Sequence, residues 1–409
     1  MWFHRTVGAA WLVLVLSAVG GLVWVSPGLA AGDVFTVRGI PVDVTAETAA
    51  SAREAAHADG HAKAMETLLN RLLPLAERTR TPPLETAQIV DLVKDFEVAD
   101  ERTSNVRYLA KLTFRFKPGA VRKFLRSYGL GHAETRSKPV VVLPVHGPTG
   151  EARLWEDDNP WLAAWATQPP GDWLVPLIVP LGDLADILAV NAEQALGSDL
   201  ERLSRLADRY RAEDVLVTHA IPFVDPESGE LTLDVATMRL GPLQQNRVIV
   251  SFVQGPEETL LALYRRAAEA IDVELQETWK QRNLLHPGAA RRISVAVPYR
   301  DLAEWLEVKS RLAGVAGVQR SDVSLLSRSR SELDITFVGD EAQLVLAMAQ
   351  SDLTLSFDED AGWRLQISEA RPSATATADS APDSGSAVQG EPLPGAGPAT
   401  PEPSATERE

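Results

Sequence analysis

The chain has 409 residues, 56 acidic against 40 basic side chains, a net charge of −16 and no cysteine. Without cysteine there is no disulfide framework, no thiol nucleophile, no thiolate metal site and no lipid-bearing cysteine behind a leader, so a lipoprotein is excluded. At ~100–200 residues per domain this length calls for two or three domains, each large enough to bury a core without covalent staples.

Residues 1–31 read as a signal peptide. His4 and Arg5 give a positive start, 7–25 is apolar throughout, and SPGLAA sets the small residues Gly28 and Ala30 at the −3 and −1 positions of a cleavage site. A retained inner-membrane anchor is the alternative, since about 19 apolar residues also span a bilayer. In either case the remainder is expected in the periplasm.

Residues 32–136 read as a small βαββα domain. A β-branched strand over 34–44 (VFTVRGIPVDV) precedes an Ala-rich helix over 46–75 with Thr45 as N-cap, then a short helix over 84–94. Strands over 96–102 and 106–116 follow. The second alternates, with Tyr108, Ala110, Leu112, Phe114 and Phe116 on one face and Lys111, Thr113, Arg115 and Lys117 on the other, as in a sheet covered on one side. A helix over 118–128 ends at Gly129-Leu130-Gly131.

Residues 137–288 read as a mixed-sheet α/β domain. VVVLPV, WLVPLIVPL over 173–181 and DVLVTHAI over 214–221 are unbroken apolar runs of the kind that fit strands buried on both faces. A helix over 198–211 separates the last two, a hairpin spans 230–240 and 247–253 across Gly241-Pro242, and a helix over 256–280 carries apolar positions three and four apart. Residues 289–370 follow the order βαββαβ, a ferredoxin-like pattern ending in a hairpin over 353–367, with Asp301 and Glu304 as a capping box. Residues 371–409 are rich in Pro, Ala and Ser and are expected to be a disordered tail.

Charge is unevenly placed. Residues 102–138 hold ten bases, among them Arg107, Lys111, Arg115 and Lys117, against one acid, Glu134, whereas 139–290 holds 23 acids and 11 bases. These are separate solvated faces, or a basic domain docked on an acidic one, or a basic interaction face for an anionic membrane surface or acidic partner. Nucleic acid is not expected as a partner of an exported, acidic chain.

Three clusters could carry chemistry. His57 and His61 lie four apart on a helix, but Ala58 stands where a zinc protease needs its glutamate and no third ligand is apparent, so they read as surface histidines. Trp155, Glu156, Asp157, Asp158 and Trp161, with Trp165 and Trp173 nearby, form the most unusual segment. Asn159 can cap a helix starting at Pro160 with the acids at its positive end and the indoles in the core; alternatively the loop binds a glycan, holds Ca²⁺ or places catalytic carboxylates. His146 and His219 end or sit within apolar strands, where ligands collect in parallel sheets, although structural roles are commoner there. No phosphate loop, dinucleotide fingerprint or nucleophile elbow is present, which weighs against an enzyme. No catalytic residue, cofactor or metal ligand is assigned.

The leader, FTVRGIPVDV with its Ala-rich helix, VVVLPV, LWEDDNPW and GVAGVQRSDVSLLSRSRSELDITFVGD together resemble the exported proteobacterial proteins grouped as domain of unknown function 2066. That resemblance implies no activity or functional residue. The middle domain's strand and helix order is also similar to the N-terminal domain of the Tol-system periplasmic protein and to curli-secretion lipoproteins, from which the absent cysteine departs. The expectation is a periplasmic scaffold or adaptor of the cell envelope without enzymatic activity. The alternatives are a carbohydrate- or peptidoglycan-binding or glycan-cleaving protein working through the Trp/acid loop, and a peripheral binder of anionic membrane.

Overall fold

Alternation of apolar and polar side chains sets the first sheet. β1 (Thr36–Thr45) leads into α1 (Ala49–Leu72), followed by the short α2 (Leu75–Arg78) and α3 (Thr86–Leu92), then β2 (Val93–Thr103), β3 (Arg107–Phe116) and α4 (Pro118–Ser127). β3 is central, antiparallel to both β1 and β2. Its five alternating apolar residues are all buried under α1. Gly60 of α1 faces this sheet so closely that a β-carbon there would come within 2.5 Å of Leu112 Cδ1 and 3.3 Å of the Phe114 ring. Gly39, at φ +69°, sits where β1 slips register against β3 between Val37 and Ile40, a conformation that a side chain would strain. The cap of α1 is Thr48 rather than Thr45, because Thr48 and Ser51 bond reciprocally across the first turn.

The computed structural model describes residues 33–368 except 170, 228, 242, 243, 287 and 289. The expected signal peptide and tail lie outside the described residues. No helix among the described residues is long and apolar enough to cross a membrane.

The second sheet has the order β5-β4-β6-β7-β8. It is built from β4 (Val140–His146), α5 (Pro160–Ala166), β5 (Leu177–Ile178), α6 (Leu184–Ala189), α7 (Ala192–Leu196), α8 (Leu200–Arg209), β6 (Asp214–Val224), β7 (Leu231–Gly241), β8 (Gln244–Val253) and α9 (Leu260–Arg282). β4 is parallel to β5 and β6; β6, β7 and β8 are antiparallel. The run over 173–181 is not a strand buried on both faces. Only Leu177 and Ile178 pair, half-buried at the sheet edge, because Pro176 and Pro180 have no amide hydrogen for a ladder. Helices α6 and α7 escape sequence reasoning, being too short for a periodic pattern.

The third sheet contains β9 (Arg291–Pro298), β10 (Val318–Leu326), β11 (Arg330–Phe337), β12 (Leu353–Asp358) and β13 (Gly362–Ile367), ordered β10-β11-β9-β13-β12, with α10 (Leu302–Ala313) and α11 (Glu341–Gln350). β13 inserts between β9 and β12 and runs parallel to β9.

The three sheets lie within one compact unit of mixed α+β structure. The C-terminal turn of α9 ties the first two together. Buried Lys280 donates from Nζ to the Asn70 and Leu73 carbonyls at the end of α1, both at 3.1 Å, and pairs with Glu277. Glu277 in turn accepts from the Leu75 amide at 2.8 Å. Trp279 Nε1 donates to Thr135 O of the connecting segment at 2.7 Å. The third sheet joins through Gln350, which accepts from the Lys138 amide at 2.7 Å and donates to Glu213.

Replacing Lys280 with Met leaves two helix-terminal carbonyls and a carboxylate without their cation. We expect a loss of about 2–4 kcal/mol in urea unfolding of the full chain, with the first-sheet transition moving to lower urea than the rest.

Candidate functional site

The Trp/acid segment is assembled as a cap. Asn159 Oδ1 accepts from the Trp161 and Leu162 amides at 3.0 Å, while its Nδ2 donates to the carbonyls of Pro144 and Leu154. This fixes α5 against β4. Trp161 is 0% exposed, its Nε1 donating to Thr218 O and Oγ1, with Trp165 edge-on beside it. Trp155, half-buried, donates from Nε1 to Val190 O. Glu156 accepts from the Leu154 amide, Asp158 pairs with Arg153, and Asp157 is exposed. The expected glycan platform therefore lacks its second ring: Trp161 is sealed in the core, and the acids do not converge on a cleft with it.

The basic face is compensated on its own sheet. Arg107 makes a two-pronged bond to Asp43 at 2.6 and 2.7 Å, Lys111 pairs with Asp100, Arg115 bridges Asp95 and Glu97, and Lys117 donates to Asp91 O. These pairs follow from register, since Asp95 lies opposite Arg115 and Asp100 reaches Lys111 from a left-handed position, φ 54°, in a slip of β2. The guanidinium of Arg107 holds the Asp43 carboxyl below its ordinary value, and Lys111 does the same for Asp100. The count over 102–138 missed these acids because they come from earlier strands.

His57 and His61 are not surface histidines. Both rings lie between α1 and the sheet, His61 against Phe114 and His57 against Phe96 and Tyr108, and His61 Nδ1 bonds to His57 O. Burial pulls His57 below the usual imidazole value. Among the described residues no three His, Asp or Glu side chains converge as a metal site. His146, at the end of β4, is 2.7 Å from Tyr264 Oη, and His219 Nε2 donates to Gly147 O at 2.7 Å. Burial lowers His146 and pushes Tyr264 up to about 12, so Tyr264 keeps its proton and acts as a structural partner.

A small cavity of about 60 Å³ lies where α4 and the segment after it meet the third sheet, lined by Arg122, Arg126, His132, Glu134, His286 and Val318 among others. Glu134 is buried there, accepting from Arg122 Nε and Nη2 and from His132 Nε2 at 2.6–3.0 Å. Burial raises its proton affinity, but the bonds from His132 and Arg122 outweigh this and hold it at about 2. Glu134 is the lone acid of the basic stretch, and its isolation was the signal that it is a buried counter-ion.

Exposed apolar side chains also lie on the second sheet. One face is covered by α5 and α9; on the other, α7 and α8 cover Val141, Leu143 and Val145 of β4, Val215 and Val217 of β6 and Leu240 of β7. Register sets Phe223, Thr232 and Val253 in one row of that second face and His219, Ala236 and Ile249 in another. Phe223 is 41% exposed, Val253 49% and Ile249 62%. Adjoining Val248 and Val250 on the opposite face are also exposed. An apolar patch of this kind, left open beyond the end of its covering helices, is how interaction surfaces differ from scattered surface hydrophobics. Sequence reasoning placed these strands but attached no role to them.

No family model and no curated protein matches this chain. Among solved structures it is similar to a chain of a PelC dodecamer, a point variant, from Paraburkholderia phytofirmans, over 36% of this chain and 94% of that one, at 13% identity and a TM-score of 0.22. A likeness at that score carries no argument about fold or function.

Two variants separate the core of the Trp/acid segment from its surface. Trp161→Ala should cost about 3–5 kcal/mol in thermal unfolding, whereas Asp157→Ala should stay within about 0.5 kcal/mol. Because Glu134 is held near 2 when folded and returns to its ordinary value of 4.5 when unfolded, its contribution is full above pH 4.5 and is lost as pH falls toward 2. Glu134→Gln should remove about 3 kcal/mol at neutral pH and flatten the stability profile across that interval.

Proposed function

We propose that this protein is a non-enzymatic scaffold or adaptor of the cell envelope, exported to the periplasm, that docks a protein partner on the open half of its second sheet. The observation that carries this is the exposed row of Phe223, Ile249 and Val253 on one face of a sheet whose remaining strands are largely packed under helices. Rigid antiparallel strands hold that face, so a partner gains apolar burial without ordering a loop. At roughly 25 cal/mol per Å² of apolar surface removed from water, covering three such side chains supplies a few kcal/mol toward binding.

The same proposal takes the leader over 1–31 as the export signal and the resemblance to domain of unknown function 2066 as the family. It takes the segments 32–136, 137–288 and 289–370 as three evolutionary modules. The last is a ferredoxin-like unit in which β13 is an inserted strand beside β9. The self-compensated pairs on the first sheet favour a protein partner over an anionic membrane, and the sealed Trp161 disfavours a glycan.

A photo-reactive amino acid at Phe223 in the exported chain, activated in living cells and followed by mass spectrometry, tests this. One envelope protein should be captured reproducibly, and competition by a Phe223→Asp chain should fail. Capture no different from that at exposed Val273 on α9 would reject the docking face.

A further inference from the structure

We propose that a second copy of this chain pairs with the free edge of β8, joining two five-stranded sheets about a two-fold axis at Ile249. This rests on the second sheet as the docking region, and adds an occupant for its edge rather than for its face.

The edge is unprotected. Natural edge strands are blunted by bulges, proline, lysine, inward charges or brevity. β1 slips register near Gly39 and carries Pro41, β2 and β10 each slip twice, and β5 is two residues long. β12 is six residues long. β8 runs ten residues in unbroken register with β7, with no proline and no lysine, and Arg247 is its one charge. Val248, Ile249, Val250 and Val253 are exposed along it. A row of this kind pairs with another strand unless something already covers it.

Its hydrogen-bond parity is defined. The Gln254 amide donates to Leu231 O at 2.9 Å, so Gln254 directs its backbone groups toward β7. Successive residues of an antiparallel strand alternate. Phe252, Val250 and Val248 therefore also point inward, and Ser251, Ile249 and Arg247 direct their N–H and C=O groups to the edge, whereas Val253 O at the strand end already accepts from Arg266 Nη2 at 2.8 Å.

A second β8 running antiparallel must match free residues with free residues, which restricts the centre of symmetry. With Ile249 opposite Ile249 of the second copy, Arg247 stands opposite Ser251 of that copy. All lie on the same face, since opposed residues in an antiparallel pair share one. Ser251 Oγ donates to Asp234 Oδ1 at 2.6 Å on the neighbouring strand. Arg247 is exposed and has no ion-pair partner among the described residues. Pairing thus brings each Arg247 up to the Ser251–Asp234 pair across the axis, twice by symmetry. It forms about six main-chain hydrogen bonds, two for each of the three opposed pairs, and sets the two isoleucines in contact. The interface is self-complementary, as a two-fold one must be, and it makes the open faces of both copies continuous.

The chain has no cysteine, so a single introduced thiol reports on one position. The exported chain should sediment as a dimer at micromolar concentration, and Ile249→Lys, which sets two ammonium groups on the axis, should shift the dissociation constant up by at least a hundredfold. Ile249→Cys should crosslink with a short bis-maleimide while Val273→Cys does not. If Ile249→Lys fails to fold by circular dichroism, the Cys pair decides alone. A monomer at 100 µM, a dimer surviving Ile249→Lys, or absence of the Ile249→Cys crosslink overturns the dimer. Capture of another protein from Phe223 by such a monomer would leave the adaptor function standing, whereas a confirmed dimer with no capture there would remove the adaptor function alone.

Discussion

One buried ammonium holds the molecule's parts in order. Lys280 has lost most of its water, and burial pulls its proton affinity down while Glu277 partly restores it. It keeps its charge because it meets the ordered carbonyls at the negative end of α1. Breaking such an arrangement costs more than making it yields, since each partner is left desolvated. That asymmetry makes the α1–α9 junction specific rather than merely adhesive. Around it sit Trp279 on Thr135, Asn283 on Trp279 O and the short bridge between His132 and Leu285. Gln343 of α11 then donates to Leu284 O.

Electrostatics elsewhere follow the same rule of local compensation. The first sheet's cations find acids one strand away, Arg122 finds Glu134, and Lys138 finds Asp352. The exposed cross-strand pairs of the first sheet contribute little to stability, unlike buried Glu134. Their effect is to remove an outward positive field and to fix register.

Apolar surface is treated differently. Each helix-covered sheet face is sealed, and the tryptophans serve that sealing, with Trp161 filling the space between α5, β6 and α9. The end of the second sheet beyond α7 and α8 has no such cover. A face and an edge left open together on the same strands, in a chain that elsewhere protects its edges, concentrate interaction potential at one place. A single lysine or proline is enough to blunt an edge, and β8 carries neither.

Much of the secondary structure was legible in the sequence. Alternation over 107–116 defines a half-covered strand by itself, and Asn159-Pro160 and Asp301 announce helix starts, because caps and periodicity are local properties. The short α6 and α7 and the truncated β5 were not legible, since proline interruptions and brevity erase the pattern. The site residues divide likewise. That Trp161 is core rather than platform, that His61 lies under a sheet, and that Arg107 is already paired depend on residues more than forty positions away or on another strand. Composition alone settled that no disulfide or thiolate chemistry operates, because those need an atom the chain lacks. Which charges are free and which apolar strands are uncovered was decided only by tertiary structure, because exposure is a property of neighbours that chain order does not specify.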